Sequence, residues 1–203
     1  MTALAGFRSA LRLLLVDSTT SPVVWVDALV DEGLLSGLDV YGAVSPVLES
    51  SFTVVTTGYS QDVSSVTDLQ SLLGLAWPWS DGLQFADYTI GWRWSAEDIL
   101  ILNREVAAGD VLRLRYRRRH RVENLDGATA TTVWASEERL FLFYAGAAAC
   151  ELRLDQLGRT RTASQDEGER LSARAERFRI NAADLLLSLR SSGDRVVWGR
   201  IGL

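Results

Sequence analysis

The sequence predicts an α+β protein: a helical bundle of long C-terminal and short N-terminal helices, with an antiparallel β insertion. Three observations carry this. A stripe of Leu171, Ala175, Phe178, Ala182, Leu185 and Leu189 alternates spacings of four and three, the period of one helix face. The stretch 51–126 holds short β-branched and aromatic runs separated by turn residues. The chain has 203 residues, 47% of them hydrophobic, which is enough to build a core without a disulfide or metal staple. The expected organisation is a bundle of 1–50 and 127–193, a β insertion of 51–126, and a carboxyl tail of 194–203.

The first part starts with a helix capped by Thr2, with Leu4, Phe7, Leu11, Leu14 and Leu15 on one face. Ser21-Pro22 marks a second start, with serine as N-cap and proline at the first helical position. That helix carries Trp25, Val26, Leu29 and Val30 and is expected to stop near Gly33 to Gly37. A short third helix then holds Leu38 to Val44 and ends at Ser45-Pro46.

The β part begins with Phe52 to Thr57, ended by Gly58. Val66 to Leu75 fits either a strand or a short helix. Trp77-Pro78-Trp79 and Asp81-Gly82 mark a turn. Tyr88 to Trp94, Asp98 to Leu102 and Val111 to Val122 read as strands, with a turn at Ala108-Gly109-Asp110 before the last. The spacing suggests a small antiparallel sheet or sandwich.

The third part opens with a helix over Ala135 to Leu157, apolar almost all round and so central in the bundle, with Gly158 as its stop. Ser164 and Glu167 form a capping box ahead of the 171–189 stripe, and Ser191-Ser192-Gly193 closes that helix.

Composition narrows the function. The single cysteine, Cys150, excludes an intrachain disulfide framework and reads as a small core residue. Neither a secretory signal nor a membrane span is legible: Leu140 to Cys150 is the longest unbroken apolar run, and a bilayer needs about 20 residues. All 21 basic residues are arginine, and a chain without lysine has no P-loop. The net charge of −5 argues against bulk attraction to nucleic acid.

Catalytic, cofactor and metal signals are not found. His120, the single histidine, would be the base of any serine hydrolase, but it lies in an arginine run and no Gly-x-Ser-x-Gly accompanies it. It reads instead as a strand or interface histidine. The pairs Asp31-Glu32, Glu137-Glu138 and Asp166-Glu167 read as helix-dipole partners and solubilising charges. With no cofactor or metal motif and no nucleophile–base pair, the chain is expected not to be an enzyme.

Two segments invite a partner. Arg113, Arg115, Arg117, Arg119 and Arg121 alternate, so a strand would put all five on one face, opposite Leu112, Leu114 and Tyr116. That face is a solvated or locally salt-bridged surface, a subunit interface with an acidic neighbour, or a phosphate contact. The tail carries Arg195, Val196, Val197, Trp198, Arg200 and Ile201. It either folds back as a terminal strand or inserts into a partner with Trp198 as anchor. Trp77, Trp79, Trp92 and Trp94 fill a small β core or form an aromatic platform.

The order of these parts resembles the head–tail adaptor (connector) proteins of tailed bacteriophages. The matching stretches are Trp25 to Leu38, Tyr41-Gly-Ala-Val-Ser45-Pro46, Gly109 to Tyr116 with His120 after it, and the alanine-rich Tyr144 to Ala149. Together they cover most of the chain. The long β insertion and the tryptophan cluster depart from the smallest adaptors. The resemblance implies a virion structural protein of the neck, assembled in the host cytoplasm. Its neighbours would be copies of itself in a ring of about twelve, the portal protein, and a tail or stopper protein. DNA would pass through the lumen without specific recognition, and no membrane is involved. By the same resemblance the tail from Asp194 to Leu203 docks on the portal. A tail-completion or stopper ring, and a carbohydrate- or nucleic-acid-binding module, are the alternatives.

Overall fold

A computed structural model describes residues 2–15, 25–77, 90–96, 98–160 and 165–191. The fold is α+β, with four α-helices and two three-stranded antiparallel sheets among the described residues. The chain divides into two compact units. The described residues of one come from Met1–Val44 and His120–Arg195, and those of the other from Ser45–Arg119.

The helical unit is built on α3 (Glu138–Thr160), which packs against α1 (Leu4–Leu14), α2 (Asp27–Val44) and α4 (Gln165–Ser191). Helix α1 forms because Leu4, Phe7 and Leu11 share a face, and all three are buried together with Leu15. Its N-cap is Ala3, not Thr2; the Thr2 hydroxyl donates to Glu138 at 2.9 Å instead. The carbonyl of Leu15, at the helix end, accepts from Arg174 of α4 at 2.8 Å, which satisfies one orphan group there.

Helix α2 corrects the sequence reading. It runs unbroken through Gly33 and Gly37, so the expected stop there and the separate helix over Leu38 to Val44 do not exist. The two glycines are buried where α2 crosses the alanine row of α3. A Cβ at Gly33 would lie 2.8 Å from the Ala149 Cβ, and one at Gly37 would lie 2.7 Å from the Ala145 Cα. Glycine here admits close helix approach, a use that outweighs its poor helix propensity. The expected Ser21-Pro22 start lies outside the described residues.

Helix α3 is preceded by a 3-10 turn (Ala135–Glu137) and continues past Gly158 to Thr160, so Gly158 is not its stop. Leu171, Ala175, Phe178 and Ala182 of α4 are buried against it, with Leu185 and Leu189 partly buried. Phe178 packs on Gly146, where an added Cβ would meet its ring at 3.0 Å. Ser164 and the tail after Ser191 lie outside the described residues.

The β unit holds β1 (Leu48–Thr53), β2 (Gly58–Asp62), β3 (Leu69–Ala76), β4 (Trp92–Ala96), β5 (Ile99–Val106) and β6 (Val111–Arg118). One sheet has the order β1-β6-β3 and the other β2-β5-β4. Both contribute to a single core that includes Phe52, Leu75, Leu100, Leu102, Leu112 and Leu114. The segment Val66 to Leu75 thus resolves to strand from Leu69 on, with Val66 to Asp68 as a turn ahead of it, and β2 is an element the sequence did not announce. The turn of Ala107 to Asp110 has Gly109 at φ +92°, a conformation that favours glycine. The turn proposed at Trp77 to Gly82 lies, beyond Trp77, outside the described residues.

Candidate interaction surface

The arginine row is built on β6, the central strand of its sheet. Leu112, Leu114 and Tyr116 point into the core, so the alternation turns Arg113, Arg115 and Arg117 to the other face. Burial pushes the Tyr116 phenol above its ordinary range. The row is shorter than the sequence pattern implies. Pairing with β1 ends at Leu48↔Tyr116 and with β3 at Leu69↔Arg118. Beyond that point no strand among the described residues supplies ladder partners, and β6 ends at Arg118, so Arg119 and Arg121 lie past the strand and not on its face.

The three arginines that remain sit in different surroundings. Arg113 reaches diagonally across the sheet to Glu49 of β1, with Nη2 at 3.3 Å from Oε2. Arg115 is exposed, opposite Glu49 on one side and Gly74 on the other. The Nε of Arg117 is buried and has no hydrogen-bond partner among the described residues. At the strand end, Arg118 pairs with Asp68, Nη2 to Oδ2 at 2.9 Å. Asp68 adopts φ +61°, and its carbonyl accepts from the Arg119 backbone N–H. Glu49 of the same sheet thus neutralises part of the row locally, and Asp68, just before β3, neutralises Arg118 beside it.

His120 is not a strand residue. It is 5% exposed and belongs to the helical unit. Its ring lies 4.6 Å from the Tyr41 ring. Its Nδ1 is 3.0 Å from the Thr132 carbonyl, which can only accept, so that nitrogen carries the proton. The Tyr41 hydroxyl donates to the buried Glu137 carboxylate at 2.8 Å. This cluster joins the end of α2, the first residue after the β unit, and the turn before α3. Sequence reasoning missed it because Tyr41 lies about 80 positions from His120 and 96 from Glu137. The burial of Tyr41, Glu137 and His120 makes the cluster a packing element with no open face.

The tryptophans divide between core and surface. Trp77 is held by a hydrogen bond from Nε1 to Asp110 at 3.0 Å, with Arg104 stacked 5.7 Å from its ring centroid. Trp92 packs against the β core and meets Trp94 edge to face at 6.2 Å. Trp94 is 38% exposed. Trp79 lies outside the described residues.

The acids have structural partners. Arg8 grips Asp31 with two hydrogen bonds, at 2.7 and 2.6 Å, and this pairing raises the arginine pKa. Arg12 pairs with Asp27 and holds that carboxyl below its ordinary range. Among the described residues no group of three or more His, Cys, Asp or Glu could hold a metal ion. Burial pushes the Cys150 thiol up to about 11, which suits a packed residue and not a nucleophile. No helix among the described residues is long and apolar enough to cross a membrane. The tail residues Arg195, Val196, Val197, Trp198, Arg200 and Ile201 lie outside the described residues.

Set beside known proteins, the chain matches no family model, and no curated protein is similar to it.

Proposed function

We propose that the protein is a virion structural component, a head–tail adaptor that forms a ring between portal and tail and lets DNA pass. The observation that carries this reading is the order of parts. A helical unit centred on the alanine-rich α3 is interrupted, between α2 and α3, by a separate β unit with its own core. An apolar segment from Asp194 to Leu203 then follows the last helix in sequence. The adaptors that the sequence resembles share this order. A net charge of −5 per copy suits a conduit that does not cling to DNA. In this reading Arg115, with Arg113 and Arg117 beside it, meets acids of a neighbouring subunit or of the portal. The tail residues Val196, Val197 and Trp198 dock on the portal.

Deleting residues 194–203 tests the docking. The truncated protein keeps its thermal transition and loses binding to a portal ring encoded beside it. A truncation that loses the transition itself assigns the tail to the core and removes its docking role.

A further inference from the structure

In the β1-β6-β3 sheet, Arg117 is a cation without a partner among the described residues. Arg113 has Glu49, with Nη2 at 3.3 Å from Oε2, and Arg118 has Asp68 at 2.9 Å. Arg115 also has a partner within the chain. Arg117 stands between Arg115 and Arg118, partly buried, and forms no ion pair with any described residue. Its Nε is buried and donates to nothing.

A second polar atom is stranded across the β3–β6 seam. Arg117 lies opposite Ser71 and Arg118 opposite Leu69, so Gln70 is the extra residue of a bulge between them. The Gln70 Oε1 is buried and also has no hydrogen-bond partner. Ser71 is partly buried beside it. Buried polar atoms are nearly always paired, so an orphan calls for an explanation. Here two orphans lie at one bulge.

The chemistry of the spot fits one oxyanion. A guanidinium offers Nε and Nη donors side by side, the geometry that grips a carboxylate with two hydrogen bonds. The Ser71 hydroxyl can donate, and a half-turn of the Gln70 carboxamide brings its Nε2 round to donate as well. A nucleic-acid strand is the poorer match. It needs a run of uncompensated cations along its phosphates. On this sheet Arg113 and Arg118 are already answered by acids, on a chain of net charge −5.

We infer that Arg117 is the socket for a single carboxylate. An aspartate or glutamate side chain of a neighbouring protein subunit seats on its guanidinium, and Ser71 and Gln70 complete the grip. This rests on the adaptor reading in naming a protein subunit as the occupant. It narrows the arginine row to one anchor, because Arg113 and Arg118 are held by their own chain.

Full-length protein labelled with 15N-arginine tests it. The Nε–H resonance missing from both Arg117→Met and Arg117→Lys identifies Arg117. Titrated with acetate against chloride at constant ionic strength, that resonance shifts saturably, while the Arg113 resonance stays in place. In urea, Arg117→Met holds or raises the midpoint, since methionine keeps much of the apolar stem and drops an unanswered charge. Arg113→Met lowers it, because Glu49 loses its partner. An Arg117 resonance that ignores acetate overturns the inference and leaves a site for water only. A response to inorganic phosphate or a short single-stranded DNA at least about tenfold tighter than to acetate overturns it too. So does an Arg117→Met midpoint that falls as far as that of Arg113→Met. A ring that Arg117→Met forms on a portal-like partner as readily as wild type sinks the socket and spares the adaptor reading. A saturable acetate shift in a chain that ignores every portal-like partner does the reverse.

Discussion

Gly37 of α2 lies against Ala145 of α3 so closely that a Cβ on Gly37 would stand 2.7 Å from the Ala145 Cα and backbone N. No flexible side chain separates the two helices there, so a methyl group can be accommodated only by moving backbone. Gly37→Ala is expected to destabilise the helical unit by about 2 kcal/mol, although alanine is the better helix former. Gly158→Ala is the control, since nothing lies within 4 Å of its added Cβ. It should be neutral or stabilising by about 0.5–1 kcal/mol. Urea denaturation followed by helix ellipticity measures both; equal effects would contradict the close-approach account.

Tyr41→Phe removes one donor from the buried Glu137 carboxylate and leaves the ring packing on His120 in place. The expected cost is about 1–3 kcal/mol, the penalty of an under-satisfied buried acceptor. A midpoint within error of wild type would mean that Glu137 does not depend on that bond.

Cys150 gives a pH dependence with a definite sign. Its folded pKa of about 11 lies above the ordinary value of 9.0. The unfolded chain therefore loses its proton first as pH rises, and stability falls between pH 9.0 and about 11. Below that window the contribution is fully present. Cys150→Ala should flatten the alkaline limb relative to wild type in thermal scans. In the folded protein at neutral pH, iodoacetamide should leave Cys150 unmodified, and unfolding should expose it to reaction.

Asp27 acts at the other end of the scale. Hydrogen bonding to Arg12 holds its folded pKa below the ordinary 3.8. The stability it adds is present above 3.8 and is lost as pH falls through the folded value. Asp27→Asn should remove part of the acid-limb slope below that pH. An unchanged slope would mean the ion pair is not maintained in solution.

Much of this fold is legible in the sequence because its signals are local. The Leu171–Ala182 spacing specifies α4, and the alternation of Leu112, Leu114 and Tyr116 specifies β6. Where the reading departs from the structure, the deciding partner is distant. Gly33 and Gly37 look like a helix stop until Ala145 and Ala149 are seen beside them. Arg119 and Arg121 continue the alternation, but the ladder has already ended at Arg118. Strand β2 hides because its buried residue is Gln61, whose Nε2 donates to the carbonyls of Thr56 and Gly58. A polar residue in an inward slot erases the apolar alternation. The candidate surface was visible as an arginine row. That Glu49 would neutralise Arg113, and that Asp68 would pair with Arg118 beside the row, was not, since both acids lie outside β6.

The adaptor reading is tested most directly by native mass spectrometry of the purified protein, alone and mixed with the products of neighbouring genes. At the micromolar concentrations of that experiment the account predicts a monomer that assembles into a closed ring on a portal-like partner. A chain that stays monomeric with every such partner would contradict it.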